Sequence, residues 1–346
     1  MEYTTLGKTD LHVSRICLGT MTFGEQNTEA EGHEQLDYAL DHGINFIDTA
    51  EMYSVPGRKE TQGSTERIIG SWIQKKKNRD KFILATKITG PSPSFTFLRD
   101  PLNFSKQQIN EAINGSLDRL KTDYVDLYQL HWPERNVNNF SQRGYKHKTD
   151  EGWEDNLLEV LQSMEELIDS GKVRHFGVSN ETPWGLMRFL QLAEQHGLSR
   201  CISIQNPFNL LNRTFEIGLA EIAMREQVSL LAYSPMGFGL LSGKYHRGEA
   251  TSFSRINQFK QMARYSRPQA YEASRLYLEI AEANELNPAQ MALAFVNQQP
   301  FTGSNIIGAT NLEQLRENME SIQLKLSPEV LKAIEEVHET IPNPAP

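Results

Sequence analysis

Cysteine is scarce in this chain of 346 residues: only Cys17 and Cys201 occur, far apart. Two such thiols build neither a disulfide framework nor a C-x-x-C metal signature. Long apolar runs are missing as well. No stretch approaches the roughly 20 residues that cross a bilayer, and the opening MEYTTLGKTDLHVSRI lacks the apolar core of a signal peptide. A cytoplasmic protein with no membrane partner is therefore expected. An excess of basic residues is absent too. A net charge of −9 has the wrong sign for a surface that displaces counterions from phosphates, so nucleic acid is not an expected partner. The basic run KKKNRDK at 75–81 follows an amphipathic segment and reads as a solvated helix end, where cations are favoured. The nine histidines include no H-x-H or H-E-x-x-H pair, and no metal site is expected.

What is present is a composition of 38% hydrophobic and 23% charged residues, which places the chain among soluble globular proteins. Its length accommodates two average domains or one large α/β barrel. Short β-rich runs alternate with longer segments of helical period, the pattern of parallel βαβ units. Eight runs can be read: RICLG to Gly19, INFID to Asp48, FILATK to Lys87, VDLYQLH to His131, HFGVS to Ser179, SIQN to Asn206, VSLLAYS to Ser234 and SNIIG to Gly308. Between them lie amphipathic segments such as EQLDYALDHG, SKQQINEAINGSLDRL, LEVLQSMEELIDSGK and PWGLMRFLQLAEQHG, several closed by the glycine that commonly follows a helix.

The runs are almost continuously apolar, as strands buried between an interior and a helical shell must be. Eight such units predict an α/β fold of the TIM (β/α)8 barrel type. We expect one domain over 1–346, with an N-terminal hairpin within 1–14 covering the barrel bottom and extra helices toward the C-terminus. A doubly wound open sheet would carry G-x-G-x-x-G after its first strand, and that place reads GTMTFG. Residues 132–156 are polar, aromatic-spotted and too long for a simple connection, so a substrate-side lid is expected there.

Catalytic groups of such barrels sit at the carboxyl ends of the strands. Taken singly, Asp48 reads as a helix or turn cap, Tyr53 as a half-buried aromatic, Lys87 as a strand's exit to solvent and His131 as a core histidine. Together they follow consecutive strands and would meet at one rim. That meeting supplies a phenol able to donate a proton, a cation that favours phenolate, a carboxylate that holds the cation, and an imidazole that orients a substrate. Tyrosine ordinarily titrates near 10, and a neighbouring Lys87 ammonium is expected to lower that value. Such tuning suits proton transfer to a developing alkoxide.

The stretches CLGTMTFG, GINFIDTAEMY, ATKI, DYVDLYQLHWP, GVSN, QNPFNLLNR, LAYSPMGFGLLSGKY and IIGATNLEQLRENM run over nearly the whole chain. Together they closely resemble the aldo-keto reductase family, NAD(P)H-dependent carbonyl reductases built on a TIM barrel. The resemblance implies a small-molecule aldehyde or ketone as substrate, Tyr53 as general acid, Lys87 and Asp48 as the pair that tunes it, and His131 as the residue that orients the carbonyl. It also implies NADPH as cofactor. Thr20, Gln26 and Asp48 would lie beside it. Ser179, Asn180 and Gln205 resemble the contacts to the nicotinamide carboxamide, and Tyr233 the ring on which the nicotinamide stacks.

The loop SPMGFGLLSGK lacks the triphosphatase spacing G-x-x-x-x-G-K-[ST]. Its small residues can nonetheless form an anion-binding concavity. Ser234, Pro235, Leu240, Ser242 and Lys244 resemble the family's pyrophosphate clamp, and Arg255 a residue that closes over the dinucleotide. After the last strand, a helix N-terminus is a ready phosphate site. Gly308, Thr310 and Gln314 resemble its contacts to the adenosine 2′-phosphate, while Glu317 and Asn318, which share a helix face with Gln314, resemble the adenine contacts.

A regulatory or redox-sensing subunit that binds the cofactor with little turnover is the alternative, as in the potassium-channel β-subunit branch. That branch does not carry histidine at the position of His131, so His131 favours a working reductase. A barrel aldolase using Lys87 as a Schiff-base nucleophile would leave the cofactor-like segments unexplained.

Overall fold

A computed structural model of the chain describes residues 1–259 and 263–346. An antiparallel hairpin opens it, β1 (Tyr3–Thr5) paired with β2 (His12–Ser14). Eight strands follow: β3 (Ile16–Gly19), β4 (Phe46–Asp48), β5 (Ile83–Ile88), β6 (Val125–Leu130), β7 (Val173–Ser179), β8 (Ser203–Pro207), β9 (Ser229–Tyr233) and β10 (Thr302–Ile307). They close into a barrel in the order β10-β3-β4-β5-β6-β7-β8-β9. Every pairing is parallel. The expected TIM barrel is therefore found. Strand ends differ slightly from the sequence runs: His131, Ser234 and Gly308 each lie one residue past a strand.

Local chemistry explains where the helices begin and end. The first covers Glu29–Asp41, earlier than its apolar period suggests, because Thr28 and Glu31 form a reciprocal capping box. The helix Ser64–Lys76 ends on Lys75 and Lys76, and Lys75–Lys77 are exposed, which matches the solvated cationic end read from the sequence. The extra helices are Pro268–Ala283 and Pro288–Asn297 between β9 and β10, and Pro328–Thr340 beyond β10.

Two apolar clusters divide the interior. Outward-facing strand residues such as Leu18, Ile47, Leu84 and Phe176 pack under the helical shell. Inward-facing Cys17, Phe46, Ala85, Leu127 and Leu231 join Leu6, Leu11 and Val13 of the hairpin segment, so the hairpin plugs the amino-terminal end of the barrel. Side chains of a strand alternate with period two. Two residues further up the inward face, Phe46, Ala85 and Leu127 give way to Asp48, Lys87 and Gln129, and two more place His131 above Gln129. The barrel axis thus runs from an apolar floor to a polar mouth.

Among the described residues, no helix is long and apolar enough to cross a membrane, and no group of three His, Cys, Asp or Glu side chains could hold a metal ion.

Candidate active site

The polar mouth opens into a cavity of about 1650 Å³. Lys87 lies fully buried beneath it, where an ammonium needs a partner. Its Nζ donates to Asp48 Oδ2 at 2.6 Å and to the Thr49 carbonyl at 2.7 Å. The other Asp48 oxygen, Oδ1, accepts from Gln205 Nε2 at 2.9 Å and Gln129 Nε2 at 3.2 Å. Both carboxylate oxygens are therefore occupied, and the ion pair is held in one geometry. Burial pulls the Lys87 ammonium down, but Asp48 and Tyr53 together outweigh it and hold the group above its usual value.

Tyr53 arrives on the turn that follows β4, tied by Tyr53 N–H donating to the Ala50 carbonyl at 3.0 Å. Lys87 Nζ lies 4.9 Å from its ring centroid. The Tyr53 and His131 rings meet edge to face at 5.9 Å. Asp48, Tyr53, Lys87 and His131 are thus brought together as expected. The phenol's titration differs from expectation. Burial raises the Tyr53 value, Lys87 pulls it down, and the balance stays above 10: removing a phenolate from water costs more than one cation, itself shared with Asp48, returns.

His131 is held by its backbone N–H donating to the Ile88 carbonyl at 3.0 Å. Burial, with Lys87 adding to it, pushes the imidazole well below its usual value. The ring is neutral at physiological pH, and its buried Nδ1 has no hydrogen-bond partner among the described residues. Beside it, Asn180 donates to the His131 carbonyl at 2.9 Å and accepts from the Tyr233 hydroxyl at 2.7 Å. Ser179 donates to the Gln205 carbonyl at 2.7 Å.

The cavity wall includes Thr20, Gln26, Asp48, Tyr53, His131, Ser179, Asn180, Gln205 and Tyr233. It continues along Ser234, Pro235, Ser242, Lys244 and Arg255 to Gly308, Thr310, Gln314, Glu317 and Asn318. Of the residues singled out in the sequence, Lys87 is behind the wall and Leu240 is not on it. The Leu240 side chain is fully buried in the hydrophobic core. Thr20 lends its hydroxyl to the Asp48 carbonyl at 2.8 Å.

Loop geometry at the clamp suits an anion. Gly237, Phe238, Gly239 and Gly243 all have left-handed φ, which curls the backbone around Lys244. A Cβ on Gly239 would sit 3.2 Å from Lys244 Nζ, so glycine leaves the ammonium its room. Burial and then Arg255 keep the Lys244 value below normal; Lys244 has no acidic partner within 4 Å among the described residues.

One residue beneath the mouth went unremarked in the sequence: Gln129 could have been found by counting two residues beyond inward-facing Leu127. Trp132 forms an aromatic wall with Phe95 at 6.1 Å and Phe140 at 5.8 Å. Its indole donates to the Pro91 carbonyl at 2.9 Å, and Gly90 makes room for the ring, since a Cβ there would lie 2.5 Å from it.

The aldo/keto reductase family model matches residues 15–339. The chain belongs to this family. Like its other members, this aldo/keto reductase is an NAD(P)H-dependent oxidoreductase acting on carbonyl groups. It is 50% identical to Protein tas of Escherichia coli (strain K12) over 347 aligned positions, covering 100% of both chains. It is 34% identical to an uncharacterized oxidoreductase, YrpG, of Bacillus subtilis (strain 168), over 97% of this chain and 96% of the relative. A putative voltage-gated potassium channel subunit beta of Schizosaccharomyces pombe is 28% identical over 97% of this chain and 93% of its own.

Proposed function

We propose that the protein is a cytoplasmic, NADPH-dependent reductase that converts an aldehyde or ketone to an alcohol, working as a single barrel with 132–156 as its substrate-side lid. The reading rests on one observation above all: a buried Asp48–Lys87 pair lies beneath Tyr53 while a neutral His131 faces the same cavity. A pocket of this volume exceeds what a small ligand alone requires, and its long wall carries an aromatic at Tyr233, the Lys244 ammonium and a helix start at Thr310 to Gln314.

The NADPH-binding residues in this reading are Thr20, Gln26, Asp48, Ser179, Asn180, Gln205 and Tyr233 at the nicotinamide end. Ser234, Pro235, Ser242, Lys244 and Arg255 take the pyrophosphate. Gly308, Thr310 and Gln314 take the 2′-phosphate, and Glu317 and Asn318 the adenine. Leu240 can contribute only its backbone. NADPH, when bound, supplies a hydride to the carbonyl carbon.

Tyr53 gives its phenolic proton to the carbonyl oxygen as negative charge develops there. Lys87 stabilises the phenolate left behind, and Asp48 fixes Lys87 through Oδ2 while Gln129 and Gln205 saturate Oδ1. Neutral His131, which lines the same cavity, orients the oxygen.

The test is NADPH oxidation with a panel of aldehydes and ketones. Tyr53→Phe should lose about 10²- to 10⁴-fold in turnover while keeping its cofactor affinity. Unchanged turnover refutes the role of Tyr53, and wild-type NADPH binding without reduction of any carbonyl would favour a sensing subunit.

A further inference from the structure

The cavity wall near the lid carries positive charge that nothing in the reductase chemistry uses. Arg264 lines the cavity, and its guanidinium faces the phenol oxygens of Tyr233 and Tyr265. Both phenols are already engaged. The Tyr233 hydroxyl donates to Asn180 Oδ1 at 2.7 Å, and the Tyr265 oxygen accepts from Asn209 Nδ2 at 2.9 Å. Burial, only partly offset by Arg264, pushes the Tyr233 phenol up, so it supplies no negative charge.

Two more guanidinium groups stand behind the same stretch of wall. Arg267 Nη2 donates to the carbonyl and hydroxyl of Ser141 at 2.7 and 3.1 Å, and Ser141 itself lines the cavity. Arg143 donates to Gln269 Oε1 at 2.8 Å and the Pro344 carbonyl at 3.4 Å. Arg267 Nη1 is shielded from solvent and has no partner among the described residues. All three cations therefore meet only neutral oxygens, and none has a carboxylate within 4 Å among the described residues. Burial and then repulsion from Arg143 and Arg264 hold Arg267 below the usual guanidinium range. Among the described residues no lid carboxylate pairs with these three arginines: Glu134 accepts from Phe104 N and Asn156 Nδ2, Glu151 from Asn136 N, and Asp155 pairs with Arg188.

An uncompensated guanidinium in a partly desolvated wall is a recognition element for a planar anion. Arg264 is also wired to the reacting end, since Tyr233 holds Asn180 and Asn180 holds the His131 carbonyl. The phosphate-type features, Lys244 and the helix start at Thr310, lie elsewhere along the wall. Only Arg264 of the three reaches the cavity, which matches one negative charge better than a phosphate dianion. Resting on the reductase reading above, we propose that the substrate is a carbonyl compound bearing a carboxylate, with Arg264 as the residue that pairs with that carboxylate.

The experiment compares 4-carboxybenzaldehyde with 4-methylbenzaldehyde, by equilibrium binding to the full chain with and without NADP⁺ and by initial reduction rates. The wild type should bind the acid about 10- to 100-fold more tightly, the range of a charge-assisted hydrogen-bonded pair. Arg264→Gln should erase that gap, Arg264→Lys should restore part of it, and NADP⁺ affinity should stay unchanged in both. Equal wild-type affinities, a gap that survives in Arg264→Gln, or a loss of NADP⁺ binding instead would overturn the proposal. If Arg264→Gln does not fold, a chloride titration of the wild type decides: a gap that closes with salt supports the pairing, and a salt-indifferent gap overturns it. Preferential binding of the acid with neither aldehyde reduced would defeat the reductase reading alone, and equal KM values for two good substrates would defeat this inference alone.

Discussion

Glu51 and Arg99 form a buried two-pronged ion pair, with Arg99 Nη2 donating to Glu51 Oε1 at 2.8 Å and Nη1 donating to Oε2. Glu51 belongs to the turn that carries Tyr53. Its backbone N–H donates to the Lys87 carbonyl at 3.2 Å, and its carboxylate also accepts from Thr89 N. One acidic residue therefore ties the turn, the end of β5 and the segment around Arg99 into a single rigid corner.

Glu51→Gln should therefore be costly. It removes one charge of a pair with side chains only 5% and 2% exposed, leaving a guanidinium without its counter-charge. The expected loss is about 3–5 kcal/mol, read as a lower denaturation midpoint at unchanged m-value. Turnover should fall with it, because the corner positions Tyr53. A variant that keeps full stability would mean that water or another acceptor replaces the carboxylate.

The Asp48–Lys87 pair should separate stability from chemistry. Lys87→Met leaves Asp48 buried with only amide donors, and the expected outcome is loss of both stability and turnover. Adding Asp48→Asn removes the stranded charge, so the double variant should regain much of the stability. It should not regain turnover, since nothing then stabilises the Tyr53 phenolate. A thermal midpoint and a reduction rate for the two single variants and the double variant complete the cycle.

The pH profile of reduction follows from the two shifts at the mouth. Tyr53 titrates above its ordinary value of 10, so an acid that must be protonated stays protonated, and the alkaline fall in kcat/KM should come later than about pH 10. His131 titrates well below 6.5, so no loss of rate from its protonation is expected between about pH 6 and 8. The stability sign is separate. The unfolded chain takes up the histidine proton first as pH falls through about 6.5, so the stability owed to neutral His131 is present above that pH and lost below it. Unfolding midpoints of wild type and His131→Gln between pH 5 and 8 should show a shallower slope in the variant.

The barrel and its mouth were legible because both obey simple periods. Most strands of the sequence read as apolar runs ending on a polar residue, and in β4, β5 and β6 the inward face changes character at that end. What was not legible depends on contacts between segments distant in the chain. Gln129 looks like an ordinary strand residue until Asp48, 81 positions away, is seen to need a second donor. Leu240 sat in a promising loop, yet the left-handed residues around it turn its side chain into the core. The direction of the Tyr53 shift also escaped, because the sequence names the cation but not the depth at which the phenol is buried.

The lid makes the remaining prediction. No helix or strand occurs in 132–156, so the segment depends on side-chain anchors rather than a backbone ladder. Arg135 is the principal one. Its Nη1 donates to Glu181 Oε2 at 3.1 Å, its Nη2 donates to Thr182 Oγ1 at 3.0 Å, and the guanidinium lies 4.8 Å from the Trp184 ring. Arg135→Met keeps the aliphatic bulk but removes the fork and strands the buried Glu181. The lid should then loosen, while most of the cofactor side is built on the ends of β9 and β10, away from Glu181. The expected signature is a fall in kcat/KM for carbonyl reduction of about 10- to 100-fold with unchanged NADPH affinity. Limited proteolysis should cut within 132–156 faster than in the wild type. Equal loss of cofactor affinity would show that Arg135 supports the whole rim instead of the lid.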